Sequence, residues 1–313
     1  MTAFRLGLIG AGRMGQVHLR AISESDRIRV VAVAEPSAAN RAKVAGADLA
    51  VHADTDAMLK AGGLDGVLIA TPSTLHLGMV ERIAAAGLPI LCEKPCGITA
   101  EEARKAAALA AKAGVPLQIG YWRRFVPALK RLKDRIEAGE LGALYFVTCF
   151  QWDERPPAAA FRATSGGIFI DMGVHEFDQL RWLTGQEVST LRVSVAEVSS
   201  EPAVAGDAEA AQVLCDLSGG TTALVSLGRR YPAGDVCWAE VFGTKGAQDC
   251  RFLWPPEGDA AFRAGMRLQA EGFVDAVQGR TSEGATAADA VAALVAAEQA
   301  AAAFRQTQSG ESR

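Results

Sequence analysis

Two carboxylates and an imidazole stand at helical spacing in the stretch FIDMGVHEFDQL (169–180): Asp171, His175 and Asp178. On a helix, residues four apart are rotated by roughly 40° and residues seven apart by roughly 20° the other way, which puts all three on one face. Ile170, Phe177, Leu180 and Leu183 flank that face with apolar side chains. Charge in such surroundings suits proton transfer, with the imidazole as base near neutral pH, or a capping carboxylate with a satisfied ion pair. Spacing alone leaves both readings open.

A second group of residues points to a nucleotide. GLIGAGRMG carries Gly10, Gly12 and Gly15 in GxGxxG spacing, with Arg13 and Met14 completing the loop. The motif follows an expected strand, opens an expected helix, and is followed about 20 residues later by Glu35 at the end of the next strand. Glycines allow the tight turn and close backbone approach to a pyrophosphate, and the helix N-terminus offers free N–H groups to its charge. A carboxylate at Glu35 accepts hydrogen bonds from an adenosine ribose and repels a 2′-phosphate, so NAD is favoured over NADP. Arg41, a turn or so downstream, could soften that preference, although a surface helix position explains it as well. Nothing downstream suggests a flavin site.

The elements that must position these residues fall into two patterns. In the first third, short apolar runs at 5–10, 28–35, 66–72, 89–95 and 115–120 alternate with helical segments, several of which open on Ser or Thr and close on Gly. This predicts a doubly wound parallel sheet with right-handed crossovers. Lys94 follows the strand PILCE of the fourth run, near the carboxyl edge where ligands of parallel sheets collect. After about residue 120 the pattern changes: a helix at 126–138, a strand at 144–152, a loop at 153–165, and then strand-like runs from 187 to 253 (among them 190–198) joined by hairpin turns such as SGGTT and GTKGA. Consecutive strands without intervening helices predict a largely antiparallel sheet. Two Ala-rich helices, 260–279 and 286–305, follow, and the tail QTQSGESR is expected to fray. The expected fold class is therefore α/β: a Rossmann domain over 1–120 and a second α/β domain over 121–313 with an open, mainly antiparallel sheet, its C-terminal helices free to pack back on the first domain.

Half of the 313 residues are hydrophobic and 22% are charged, enough to fill real cores. A net charge of −4 without a basic run gives no electrostatic reason to expect nucleic acid or an anionic membrane as partner. The six cysteines lie among apolar residues with neither CxxC nor metal-ligand spacing, and read as reduced core residues. No His, Cys and carboxylate cluster has metal spacing, so no metal is expected. The N-terminus lacks export features and no apolar run is read as long enough to span a bilayer, which leads to a cytoplasmic expectation. His18 is read as a packing or capping residue and His52 as part of a polar loop. Trp122, Trp152, Trp182 and Trp238 suit core or interface, the first and second also lying near the expected cleft.

GLIGAGRMGQVH, IATPSTLH, CEKP, IGYWRRFVP and GGIFIDMGVHEFDQLRWLTG together resemble the Gfo/Idh/MocA oxidoreductases, and most nearly their inositol 2-dehydrogenase-like members. The resemblance spans both halves in order. It implies a Rossmann domain joined to an α/β domain whose open sheet often makes the oligomer interface, hence a homo-oligomer, dimer or tetramer. It implies Lys94, Asp171 and His175 as the catalytic group, with Arg123 and Asp178 at positions that contact polyol substrates. Thr71, Pro72, His76 and Glu93 match residues lining the cofactor site, which Lys94 also borders. The chain departs from inositol dehydrogenases at RRYPAGDVCWAEVFG, where a tyrosine of a GYD-like segment is expected. Tyr231 from a shifted position, or Asp235, would take that place, and Trp152 joins the candidate substrate residues.

Oxidising a secondary alcohol needs a base for the hydroxyl proton and a fixed hydride acceptor. His175 is the natural base, the Lys94 ammonium would stabilise a developing alkoxide, and Asp171 would hydrogen-bond substrate or hold the other two in place. The expected activity is an NAD-dependent dehydrogenase acting on a cyclic polyol or sugar, inositol-like first. Two alternatives stand beside it: a sugar or other carbonyl reductase using NAD(P)H, and an NAD-binding sensor without turnover.

Overall fold

The computed structural model describes residues 2–44, 49–196 and 207–308. The end of the second helical segment of the sequence, SAANRAKVAGA at 37–47, the end of the strand expected over 190–198, and the tail from 309 lie outside the described residues. The chain divides into two compact units: the first comprises residues 1–97, 101–125 and 263–290, and the second 98–100, 126–262 and 291–313.

In the first unit the alternation of strand and helix is realised as β1 (Phe4–Ile9), α1 (Arg13–Ile22), β2 (Ile28–Ala34), α2 (Ala38–Val44), β3 (Ala50–His52), α3 (Thr55–Ala61), β4 (Gly66–Ile69), α4 (His76–Ala85), β5 (Ile90–Cys92), α5 (Ala100–Ala113) and β6 (Leu117–Ile119). The strand Ala285–Thr286, β13 in chain order, closes one edge, and the sheet order is β13-β6-β5-β4-β1-β2-β3. Only the β13–β6 pair is antiparallel. Strands β1 and β4 are neighbours although β2 and β3 intervene in the chain. The order therefore reverses beside β1, and the loops leaving the carboxyl ends of β1 and β4 flank the crevice where doubly wound sheets take ligands. Strand β3 was too short to read from the sequence; it makes His52 part of the sheet rather than of a polar loop. The core is aliphatic and includes Leu6, Leu8, Val33, Leu68 and Leu91, with Phe273 set edge-on to Phe4.

The second unit holds α6 (Pro127–Glu137), β7 (Leu144–Trp152), α7 (Ala159–Arg162), α8 (Val174–Thr184), β8 (Val188–Ala196), β9 (Ala210–Leu217), β10 (Thr222–Gly228), β11 (Val236–Gly243) and β12 (Gly246–Leu253). These strands form a six-stranded sheet in the order β12-β11-β7-β10-β9-β8. All pairs are antiparallel except β7 with β10. Alternation sends Val147 and Cys149 to one face, where the Gln179 amide of α8 donates to Cys149 Sγ (3.3 Å). The opposite face carries aromatic rings, with Phe150 stacked on Trp238 at 4.1 Å and Trp238 edge-on to Trp254. All six cysteines are buried and free.

The helices α9 (Gly258–Val277) and α10 (Ala287–Gln308) complete the chain. One sequence expectation fails here. Residues 287–306 form a helix long and apolar enough, by length and composition, to cross a membrane. Its alanines, apolar but small, conceal that length, and Ala290, Ala293, Leu294, Ala297, Ala300 and Phe304 are buried within the protein.

Candidate active site

In the first unit the glycine loop joins β1 to α1. Gly10 has φ +92°, and a Cβ there would lie 2.7 Å from the Ala70 carbonyl oxygen. At Gly15 a Cβ would approach the Gly10 carbonyl oxygen to 2.1 Å, so helix and loop pack backbone to backbone. Gly12, the residue before α1, differs: a Cβ would meet nothing within 4 Å, and no side chain caps the helix. The helix N-terminus is thus left to a ligand. Arg13 is exposed beside it, and Met14 packs against the core.

Glu35 follows β2 and is buried. Its two carboxylate oxygens accept the Ala11 N–H (2.7 Å) and the Ser37 N–H (2.8 Å), which ties the glycine loop to the end of β2 and leaves each oxygen a lone pair for a ribose hydroxyl. Arg41 is not a free surface residue: its Nη1 donates to the carbonyls of Glu35 (2.8 Å) and Pro36 (2.7 Å). After β4, the Thr71 hydroxyl is buried and, among the described residues, has no hydrogen-bond partner. An unsatisfied donor there, an open cradle at Gly12 and an anchored carboxylate fit a dinucleotide such as NAD.

Lys94 follows β5 in a turn braced from two helices. His18, read from the sequence as a packing residue, is fully buried, and its Nε2 lies 2.7 Å from Glu93 Oε1. The Lys94 amide donates to the other carboxylate oxygen (3.1 Å). His76 places Nδ1 2.7 Å from the Pro95 carbonyl and Nε2 2.9 Å from the Thr71 carbonyl. Burial pushes the Glu93 carboxyl up, but the His18 hydrogen bond and the charges of His18, Lys94 and His76 hold it below the usual carboxylate range. For His76 the balance runs the other way, and burial lowers its pKa despite the two carbonyls and Glu93. Glu93 and His76 are turned inward as supports of the cofactor-side loops. Arg123 lies in the short turn Trp122–Phe125 of the same unit and is buried.

In the second unit the segment 169–180 is not one continuous α-helix. Gly166 and Gly167, at φ +85° and +78°, lead into a π-helical turn, Phe169–Gly173, and α8 starts only at Val174. The wider π turn shifts Asp171 out of the α-helical phase assumed from the spacing, while His175 and Asp178 keep it. Both of the latter are buried. Asp171 meets Arg229, whose Nη1 lies 3.4 Å from Asp171 Oδ2 and whose Nη2 donates to Asp207 Oδ1 (3.1 Å). Arg162 bridges Asp207 (2.6 Å) and Glu209 (3.1 Å), and Arg230 donates to Glu209 (3.0 Å). Three arginines and three carboxylates thus form one network around the fully buried Arg229. None of Arg162, Asp207, Glu209 or Arg229 stands out in the sequence, because the partners come from segments more than 20 residues apart in the chain.

Sheet faces sort the expected substrate residues. Gln151 pairs with Leu227, whose side chain packs toward Gly173. Trp152 therefore points to the other face, where its Nε1 donates to Ser226 Oγ (3.1 Å). Tyr231 sets its ring against Trp254, in the same aromatic layer. Strand alternation thus gives Trp152 to the aromatic face, and the Tyr231 ring contacts Trp254 beyond the end of β10. Asp153, which carries no motif in the sequence, is the acidic group beside Asp171. It accepts from Gln151 Nε2 (3.1 Å), and the neighbouring Glu154 N–H donates to Asp235 (2.7 Å). Burial pushes the Asp153 carboxyl up to about 6, with Asp235 and Asp171 adding to the rise and the Gln151 hydrogen bond and Arg229 opposing it.

Asp153 has its pKa raised in the folded state above its ordinary 3.8, so it favours folding most when protonated, and that contribution is lost as pH rises through about 6. Asp153→Asn is expected to be more stable than wild type at about pH 8 by on the order of 1–2 kcal/mol, the gain closing near pH 4. Thermal melts at the two pH values measure it; a gain equal at both would show that the carboxyl does not titrate in this window.

A parallel sheet that ends in a dinucleotide loop, joined in one chain to an open-sheet α/β unit, defines a nicotinamide-dependent oxidoreductase. Residues 4–121 match the family model described as "Oxidoreductase family, NAD-binding Rossmann fold", and residues 129–248 match the "GFO/IDH/MocA C-terminal domain". The chain belongs to the Gfo/Idh/MocA family of NAD-dependent oxidoreductases. It is 61% identical to the rhizopine catabolism protein MocA of Rhizobium meliloti, over 96% of this chain and 95% of the relative. It is 36% identical to inositol 2-dehydrogenase of Rhizobium meliloti strain 1021, over 78% and 74% of the two chains. A solved scyllo-inositol dehydrogenase from Lactobacillus casei, with bound NAD(H) and scyllo-inositol, superposes with a TM-score of 0.85 at 25% identity, covering 98% of both chains.

Proposed function

We propose that this protein oxidises a secondary hydroxyl of a cyclic polyol, inositol-like in its array of hydroxyls, with NAD as acceptor. The observation that carries the reading is the cluster of carboxylates Asp153, Asp171 and Asp235 about Arg229. Several acceptors in one place suit a substrate that presents several hydroxyl donors. The inositol dehydrogenases among its relatives support the same class.

NAD, when bound, supplies the hydride acceptor. Gly10, Gly12 and Gly15 with Arg13 and Met14 hold the pyrophosphate side, Glu35 the ribose, and Thr71 and Pro72 the following stretch. Lys94 stabilises the negative charge that develops on the substrate oxygen, and His175 takes the hydroxyl proton. Asp171, held by Arg229, orients the substrate hydroxyl. Asp178 and Arg123 select neighbouring hydroxyl positions. An NAD-binding sensor would need the glycine loop and Glu35 but not this set.

Formation of reduced nicotinamide is the test, followed by absorbance with NAD and NADP against myo-inositol, scyllo-inositol and a panel of aldoses. Turnover with inositols is expected, and NAD is expected to be preferred by at least roughly tenfold because Glu35 opposes a 2′-phosphate. Activity confined to aldoses would remove the inositol assignment. Tight NAD binding with no turnover across the panel would favour the sensor.

A further inference from the structure

We propose that His18 and Glu93 form a positioning pair for Lys94, tying the helix that receives the dinucleotide to the turn that presents the lysine. The proposal rests on the assignment of Lys94 to the chemistry.

The geometry is a relay within the first unit. Helix α1 opens at the glycine loop and carries His18 one turn further in. His18 Nε2 reaches Glu93 across 75 residues of chain at 2.7 Å, and Glu93 receives the Lys94 amide on its second oxygen at 3.1 Å. A carboxylate accepts only, so the proton of this contact sits on His18 Nε2. The other side of Glu93 is closed: a Cβ at Gly120 would come within 3.1 Å of its Cα and 3.2 Å of its Cδ. With His18 fully buried and Glu93 6% exposed, no water competes freely for these bonds. His76 adds a second support: its ring stands between the Pro95 and Thr71 carbonyls, and the nitrogen that carries the proton donates to one of them.

The charged groups facing Glu93 are His18 from α1, Lys94 from its own turn and His76 from α4; the Cys92 thiol lies on the adjoining strand. Removing His18 takes away the hydrogen bond that most strongly opposes the burial of the Glu93 charge. The carboxyl then titrates at higher pH, and once protonated it no longer serves as an acceptor on both oxygens. The Lys94 amide loses a fixed partner and the lysine its neighbouring anion.

Three variants test this: His18→Leu, His18→Gln, whose amide nitrogen can reach where Nε2 stands, and Lys94→Ala. For His18→Leu we expect kcat to fall by roughly 10- to 100-fold with substrate KM little changed, as small misplacements of a catalytic group produce. Its Glu93 carboxyl, followed by carbon NMR in the cofactor-free protein and assigned with Glu93→Gln, should titrate at higher pH than in wild type. Hydrogen exchange at the Lys94 amide should quicken. His18→Gln should restore most of the turnover and slow the exchange again. A His18→Leu protein that folds, leaves Glu93 titrating as in wild type and keeps kcat would overturn the pairing, as would failure of His18→Gln to recover more than His18→Leu. Full activity in Lys94→Ala would instead overturn the assignment of the lysine, while the NMR and exchange readouts would still judge the relay.

Discussion

Lys94→Ala and His175→Ala are each expected to lower turnover by roughly two to four orders of magnitude while NAD affinity changes by less than about threefold. In the proposed reaction Lys94 acts through charge: its ammonium is useful only where the substrate oxygen becomes negative, so its loss is expected to fall on kcat more than on binding. The loop proposed to hold NAD, at Gly10, Gly12, Gly15 and Glu35, has its own backbone and carboxylate contacts. His175 is buried on α8, and the proposed base must be neutral to accept a proton, so activity is expected to rise with pH. In His175→Ala that rise should flatten. Steady-state rates over a pH series, beside NAD titrations followed by fluorescence, measure both halves of the expectation. Wild-type turnover in His175→Ala would show that another group takes the proton.

Arg229→Met should be the most destabilising single change in the second unit. Arg229 is fully buried and stands between Asp171 and Asp207, and it contributes one of three positive charges facing three carboxylates. Methionine fills much of the volume but leaves Asp207 with Arg162 alone and Asp171 without its arginine. Breaking a buried pair on one side costs about 3–5 kcal/mol, because the abandoned charge remains desolvated. The corresponding drop in melting temperature is roughly 6–20 °C. Tryptophan fluorescence suits the measurement, since Trp152, Trp182, Trp238 and Trp254 all belong to the second unit. Arg229→Met combined with Asp207→Asn should recover part of the loss by removing one uncompensated charge. Arg229→Lys keeps the charge but not the fork that reaches two carboxylates at once, and should fall between wild type and Arg229→Met. A loss below about 1 kcal/mol in Arg229→Met would mean that the network is solvated and stabilises little.

What the sequence by itself determined is the part of the protein built from neighbours along the chain. The glycine loop, the helix it opens and Glu35 lie within one strand–helix–strand unit, where spacing has a direct geometric meaning, and β1, α1 and β2 stand where the alternation puts them. The change to consecutive strands after residue 187 likewise appears as the antiparallel pairs of the second sheet. Membership of the Gfo/Idh/MocA family was legible for the same reason: its motifs are short, local and ordered. Only the tertiary structure decided the contacts that join distant segments. His18 and Glu93 are 75 residues apart, and Arg229 and Asp171 are 58 apart, so neither pair leaves a local pattern. The π turn at Phe169–Gly173 hid in residues that fit an α-helix equally well, and it changed the direction of Asp171. Trp152 and Asp153 are adjacent in sequence, yet strand alternation gives one to the aromatic face and the other to the carboxylates around Arg229. Which of them joins those carboxylates was set by register, and register belongs to the partner strand as much as to the residue itself.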